Sequence, residues 1–480
     1  MKQAFNPFLP SYEYIPDGEP HIFDGRVYIY GSHDRYNGIS FCLNDYVCWS
    51  APVDDLTDWR YEGVIYRKIQ DGKKYVGFLN SMFAPDACRG PDGKYYLYYF
   101  IGYNSIISVA VCNEPAGKYE FLGFVKYADG SLLGSKGEPL QFDPGIFVDD
   151  DNKVYLYTGF GPVNYPKILL GGHRATENGA MCFELEDDML TIKGGLNYIG
   201  VPGKLKSKGT GYEGHEFFEA ASMRKFNGEY YFIYSSFSGH ELCYARGNSP
   251  MGPFTFGGTL VSNGDVGLGS HTSPETAANF TGNTHGSVDF INGEYYVFYH
   301  RQTNRHQFSR QACAERLIMR PDGGFDQAEI TSCGLNGKPL AGKGTYSSHI
   351  ACNLYGKNGT RFYGVMKGMR NEPYFTQSGK DREDNPDQYI ANISDGTVFG
   401  FKYFDLRETK RITVRVRGNA TGILFISLSE KGPSVAEIPV SPSSEYKDFT
   451  VSLSCNSEKS PLFFQYKGAG RLDMQSMTLE

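Results

Sequence analysis

The sequence predicts an all-β protein, a five-bladed β-propeller followed by a β-sandwich of jelly-roll type. Three observations predict it. The 480 residues include 58 Gly, 36 Tyr and 34 Phe; Tyr and Phe favour strands, and Gly favours the turns between them. One phrase, a turn followed by an aromatic strand, occurs five times: DGRVYIYG at 24–31, DGKYYLYY at 92–99, DNKVYLYTG at 151–159, NGEYYFIYS at 227–235 and NGEYYVFYH at 292–300. Asp-Gly, Asp-Asn and Asn-Gly before such runs are hairpin signals. The copies follow one another at 59–76 residues, room for four short strands and their loops, which is one propeller blade. An array of sandwiches would not explain a unit of this length.

The phrase stops near residue 340. Beyond it come strand-like runs of another kind, VFGFKYFDL, RITVRVRG, GILFISLSE, FTVSLSC and PLFFQYKG, separated by Gly, Asn, Ser and Pro turns. That pattern reads as a sandwich. The predicted domains are therefore a propeller over 1–335 and a sandwich over 341–480, divided in the stretch GLNGKPLAGKGTYSS. The polar segment 366–388 is expected to be a loop.

Composition excludes several functions. Apolar residues make up 40% of the chain, too many for disorder. No run of about 18 apolar residues exists, so no membrane-spanning helix is expected. A net charge of -7 argues against nucleic acid as the main partner, because phosphate binding needs a basic face. The start, MKQAFNPFLPSYEYIPDGEP, lacks the basic region and apolar run of a secretory signal. A cytoplasmic location is expected, unless a signal has been removed from a secreted protein. The ten Cys stand singly, without CxxC or zinc spacing. They are expected to be buried free thiols, as suits a reducing compartment. Nothing in the sequence sets an oligomeric state.

The first strand of a blade lies at the propeller axis, so polar residues upstream of each phrase converge there. Asp17, Asp86, Asp143, Glu219 and His285 lie 11, 9, 12, 11 and 10 residues before Tyr28, Tyr95, Tyr155, Tyr230 and Tyr295. Taken singly, each acid reads as a turn or cap residue, Asp143 before Pro144 most of all, and His285 as a core histidine. Taken together, a ring of carboxylates is costly unless one is protonated or does chemistry. Such a ring suits glycoside hydrolysis, in which one carboxylic acid protonates the leaving oxygen and a carboxylate activates water. A separation of about 6.5–9.5 Å across the axis would give inversion.

At these residues the sequence resembles glycoside hydrolase family 43, through NPFLPSYEYIPDGEPHIF, APDACRGPDGKYYLYY, FDPGIFVDDDNKVYLYTG, HEFFEAASMRKFNGEYYFIYSS and NTHGSVDFINGEYYVFYHRQT with its following SRQ. The likeness spans about residues 5–320 and implies a five-bladed propeller. It implies Asp17 as general base, Glu219 as general acid and Asp143 as the residue that tunes the acid. It pairs Arg310 with Asp143 and the sugar, and places His285 in the axial channel, holding calcium through water; Ca2+ is the one cofactor implied. His33 and Asp34 of GSHD are expected to line the sugar pocket, with Asp86 in a supporting place. Phe83 stands where the family usually has Trp, which alters the stacking surface. The tail resembles a family 6 carbohydrate-binding module through TVFGFKYFDL, ITVRVRG and FFQYKGAGRLDMQSMTLE, although both Trp residues, Trp49 and Trp59, lie in the first part of the chain. A structural lid is the other reading of this tail.

The resemblance thus implies an inverting, exo-acting hydrolase of plant-derived oligosaccharides. The first choice of substrate is an α-L-arabinofuranoside, then a β-D-xyloside, then a β-D-galactofuranoside. Two other classes are a phosphorylase and a non-catalytic sugar-binding propeller. The first would need a cationic phosphate site where Asp17 stands, and the second would lack the acids.

Overall fold

The computed structural model describes residues 2–72, 80–102, 105–164, 173–364, 368–384, 387–453 and 455–480. Each recurring phrase forms the second strand of an antiparallel sheet: Arg26–Tyr30, Tyr95–Tyr99, Val154–Thr158, Glu229–Ser236 and Glu294–Gln302. Alternating side chains of these strands face opposite sides of their sheets. Both sides are covered, so the Tyr and Phe residues fill the spaces between neighbouring sheets: Tyr30, Tyr98, Tyr99, Tyr157, Tyr231 and Tyr234 are fully buried. The hairpin turns use positive φ at Asp24, Asn152, Asn227 and Asn292, the conformation that Asn and Asp tolerate best among residues with a side chain.

The first strand of each sheet is Glu19–Phe23, Asp86–Arg89, Gly145–Val148, Phe217–Phe226 or Val288–Ile291. These strands neighbour one another in a ring: the first touches the second, the second the third, the third the fourth, and the fifth returns to the first. Between the fourth and fifth, Arg224 Nε donates to the Val288 carbonyl at 3.0 Å. The first four sheets have four strands each, in simple up-and-down order. The fifth has three, a departure from the expected four. The N-terminal segment runs along its outer edge instead: Phe8 N donates to the Ala312 carbonyl at 3.1 Å, and Asn6 exchanges hydrogen bonds with the Ala314 backbone at 2.9 and 3.0 Å. The chain's beginning therefore covers a sheet edge that would otherwise be unpaired.

After residue 340 the strands form two six-stranded sheets, one containing Val398–Asp405 and Ser460–Ala469, the other Arg411–Gly418 and Leu472–Leu479. Alternate residues of both, among them Phe399, Phe401, Phe464, Ile412, Val414 and Met477, share one core. The segment 366–388 is not all loop. Tyr374–Gln377 is a strand paired with Gln388–Ile393. Its polar character is used against the first sheets: Tyr14 Oη donates to Gln377 Oε1 at 2.7 Å, and Arg382 Nη1 donates to Glu13 Oε1 at 2.6 Å. All ten Cys are free thiols, eight of them buried. No helix among the described residues is long and apolar enough to cross a membrane.

Asn6 is buried and gives Nδ2 hydrogen bonds to the carbonyls of Ala314 and Thr331 and to Glu315 Oε1. Asn6→Ala leaves those partners unmatched, and we expect a loss of about 1–3 kcal/mol, read as a lower denaturation midpoint with little change in slope.

Candidate active site

The starting ends of the first strands open into a cavity of about 380 Å³ lined by Asp17, Asp143, Glu219, His285, Arg310 and Phe83, together with residues described below. Three of these acids depend on local backbone irregularity. Asp17 and Asp143 each stand two residues before a first strand, at φ 58° and 42°. Glu219 lies within its strand, but the pairing shifts on both sides of it and Ala220 sits at φ 65°. A bulge of this kind re-aims a side chain that a regular strand would bury. Backbone strain at three converging acids marks a site.

Asp17 is buried and accepts a hydrogen bond from Arg310 Nη1 at 2.9 Å, so among the described residues Arg310 pairs with the expected base and with Asp34, and not with Asp143. Burial works to raise its carboxyl, but the Arg310 charge outweighs this and holds it below the usual range. His300 stands 3.3 Å from the same carboxylate. Its Nδ1 accepts the Asp17 backbone N–H at 3.2 Å, which requires an unprotonated nitrogen there, and burial depresses the imidazole to about 3. Glu219 makes no hydrogen bond among the described residues. Burial, and then the Asp143 charge, pushes its carboxyl well above the usual range. Asp143 is also raised by burial, against the pull of His285. The two carboxyls crowd one site, and the proton belongs on Glu219, the more strongly raised.

His285 Nδ1 lies 3.5 Å from Asp143 and Nε2 3.6 Å from Glu19. Burial works against its charge, yet these two carboxylates raise it well above the ordinary imidazole value. Glu19 is drawn down to about 2, burial being outweighed by His285 and Arg224. Both contacts are longer than a charge-assisted hydrogen bond of about 2.7–2.9 Å, and Glu19 Oε1 is buried without a hydrogen-bond partner. An unpaired carboxylate oxygen beside an imidazole suits a calcium ion that keeps much of its water shell. Glu19 and His285 are the residues that would hold it.

Three expected pocket residues stand elsewhere. Asp34 is fully buried outside the lining and grips Arg310: Nε donates to Oδ2 at 2.9 Å, Nη2 to Oδ1 at 3.1 Å, and the Arg310 backbone N–H to Oδ2 at 3.0 Å. It orients the arginine and does not reach the cavity. His33 is buried at the contact with the C-terminal sheets; its Nδ1 lies 2.8 Å from the Asp45 carbonyl, and its Nε2 lies 3.0 Å from Glu13 Oε1 and 2.9 Å from Arg382 Nη1. Asp86 is inside its strand, paired with Tyr98, whereas Asp17, Asp143 and His285 precede theirs. It receives His21 Nε2 at 2.6 Å and the Ile146 N–H at 2.8 Å, and so joins three sheets.

Phenylalanines form the rest of the wall. Phe83 stacks on Phe100 at 4.9 Å, Phe142 follows at 4.7 Å from Phe100, then Phe160 at 4.9 Å and Phe218 at 5.1 Å. Phe142 and Phe218 adjoin Asp143 and Glu219 in sequence, a signal available beforehand. Phe41, which lies over the Arg310 guanidinium at 4.8 Å, and Gln307 come from loops with no such signal. Phe362 comes from beyond the repeats altogether. Its neighbour Tyr363 is tied to the fifth sheet's approach by a hydrogen bond to the Thr281 carbonyl at 2.7 Å, which brings Phe362 to the cavity rim.

A protonated carboxyl and an ionised one facing a pocket lined by aromatic rings are the equipment of a glycoside hydrolase. The model of glycosyl hydrolases family 43 matches residues 10–325, and the chain belongs to that family. Over its full length it is 48% identical to a xylosidase/arabinosidase of Thermoclostridium stercorarium, covering 99% of that protein. It is 30% identical over 317 residues to xylosidase/arabinosidase 43A of Humicola insolens, 60% of this chain and 88% of that one. Among solved structures, a family 43 arabinoxylan arabinofuranohydrolase of Bacillus subtilis shares the fold, with a TM-score of 0.52 over 99% of this chain and 97% of that one at 20% identity. A β-xylosidase/α-arabinofuranosidase from a compost metagenome, in a calcium-free form, matches with a TM-score of 0.52 at 27% identity, covering 68% of this chain and 98% of that one.

Asp34 holds the Arg310 guanidinium at the cavity, so Asp34→Asn should lower kcat by about 100-fold, the cost of misplacing a site group by about an ångström. Steady-state kinetics with a circular-dichroism check of folding reads this out.

Proposed function

We propose that the protein is an inverting, exo-acting glycosidase that removes terminal or side-chain sugars from plant-derived oligosaccharides. The first substrate is an α-L-arabinofuranoside and the second a β-D-xyloside. The observation that carries the reading is the opposite protonation of two buried carboxyls on one cavity: Asp17 held ionised by Arg310, Glu219 held protonated by burial and Asp143. In this reading Glu219 gives its proton to the glycosidic oxygen, and Asp17 takes a proton from the water that attacks the opposite face of the sugar. Asp143 keeps Glu219 protonated until transfer, and Arg310 binds the sugar while restraining Asp17. A positive charge between Asp143 and Glu19 belongs to the site, carried by the His285 imidazolium or, when calcium is bound, by the ion that Glu19 and His285 hold. The names of the relatives support the choice of sugars.

The ring of five sheets supports a five-bladed propeller over residues 1–335, closed by the N-terminal segment on the fifth blade. The two later sheets with their common core support a jelly-roll sandwich over 341–480, of the kind found in family 6 carbohydrate-binding modules. The sandwich also serves as a lid, since Phe362 reaches the cavity.

A panel of nitrophenyl glycosides tests the function. Arabinofuranoside turnover should exceed xyloside turnover, and both should exceed galactofuranoside turnover. Glu219→Gln should lose about 10²–10⁴-fold on an alkyl glycoside and far less on the nitrophenyl one, whose leaving group needs no proton. Equal loss on both would remove Glu219 as the acid.

The basic limb of the pH–rate profile reports loss of the Glu219 proton. Asp143→Asn removes a neighbouring negative charge, so Glu219 gives up its proton more readily and the limb should move to lower pH. An unmoved limb would show that Asp143 does not tune the acid.

A further inference from the structure

A second cleft, of about 870 Å³, lies where the sheet containing Gln388–Ile393 and Leu472–Leu479 meets the loop after Gln302. Four arginines line it, Arg305, Arg370, Arg417 and Arg471, with Tyr374 and Tyr389 beside them; Asp473 is the one acidic residue of the lining. Asp473 is already engaged. Its Oδ1 accepts the Asn392 N–H at 3.0 Å, and its Oδ2 accepts from Arg417 Nε at 3.2 Å. Arg417 is held further by the rings of Tyr446 and Tyr389, at 4.6 and 5.2 Å.

Arg471 is positioned by neutral groups only: Nη1 donates to Asn392 Oδ1 at 2.7 Å and Nη2 to Asn371 Oδ1 at 3.4 Å. The guanidinium groups of Arg305 and Arg370 make no hydrogen bond or ion pair among the described residues. Three positive charges therefore face one cleft uncompensated, on a chain whose net charge is -7. Like charges brought together destabilise a surface unless an anion joins them. The planar guanidinium fork matches a planar carboxylate, and the tyrosines offer flat faces and hydroxyl groups to a sugar ring.

The cleft and the active site share a loop. Arg305 faces the cleft, while Gln307 of the same loop and Arg310, which opens the strand after it, line the cavity. Arg305 lies five positions before Arg310, so their Cα atoms are within about 18 Å. The overall negative charge disfavours a long polyanion such as nucleic acid and favours a glycan with isolated acidic groups.

We propose that this cleft is a binding subsite for a uronate-bearing oligosaccharide, with Arg305, Arg370 and Arg471 receiving the sugar carboxylate. The proposal rests on the glycosidase reading and gives that enzyme a preference for acidic glycans.

The test uses the full-length Glu219→Gln protein, whose turnover of such a glycan is cut about 10²–10⁴-fold, in calorimetric titrations. One ligand is a glucuronate-substituted xylo-oligosaccharide, and the other is the same oligosaccharide with its carboxyl reduced. The acidic form should bind on the order of 10-fold more tightly at low salt, with the advantage shrinking as salt rises. Adding Arg370→Gln and Arg471→Gln should abolish the advantage. The same two changes in the wild-type background should leave turnover of a small nitrophenyl glycoside unchanged. Equal affinity for the two oligosaccharides overturns the proposal, as does arginine-dependent binding of inorganic phosphate or single-stranded DNA as tight as that of the acidic glycan. Failure of the glycosidase reading would show separately, as absence of turnover on the nitrophenyl panel.

Discussion

The structure is organised by the need to keep buried carboxylates at the centre of the first five sheets. Asp17, Glu19, Asp34, Asp143 and Glu219 converge there, and their nearest cations are Arg224, His285 and Arg310. An unpaired buried charge costs several kcal/mol. Each cation is therefore divided among several partners. Arg224 alone reaches Glu19, Ser222, and the carbonyls of Pro20, Met223 and Val288, so it ties the first, fourth and fifth sheets. Arg310 is shared between Asp34, which it binds at two oxygens, and Asp17. The carboxyl left without a cation, Glu219, is the one that keeps its proton.

That unequal sharing links the fold to the chemistry. A ring of equivalent acids would titrate as a group and supply no distinct donor and acceptor. Here the sheets impose different surroundings on side chains that the repeat brings to nearly the same depth. Asp17 faces an arginine, Glu219 faces phenylalanines and another carboxyl, and Asp86 is withdrawn into its strand to bind His21 and the Ile146 backbone. The C-terminal sheets take part as well. They supply Phe362 to the cavity rim and Arg382 to the buried Glu13, so the contact between the two parts of the chain belongs to the architecture of the site.

The repeat phrases made much of this legible. A hairpin turn followed by alternating aromatics is a local pattern, and its recurrence located the second strand of all five sheets. The acids upstream were found by the same count, because a strand advances by a fixed length per residue. The count could not show side-chain direction. Asp34 and His33 adjoin a strand end near the cavity, yet Asp34 turns to Arg310 and His33 to Arg382, partners 276 and 349 residues away. The fifth sheet's edge was likewise beyond reach, because the segment that covers it is the N-terminal one.

The sequence by itself determined the all-β character, the fivefold repeat, and the set of acids that gather at the cavity. Those properties follow from local patterns of turn, strand and spacing. The tertiary structure alone decided which carboxyl is raised and which lowered, which carboxylates share Arg310, and where aromatic walls and a second, arginine-lined cleft arise. Protonation and orientation depend on burial and on charges contributed by residues far apart in the chain, and these distances exist only once the sheets have closed around their axis.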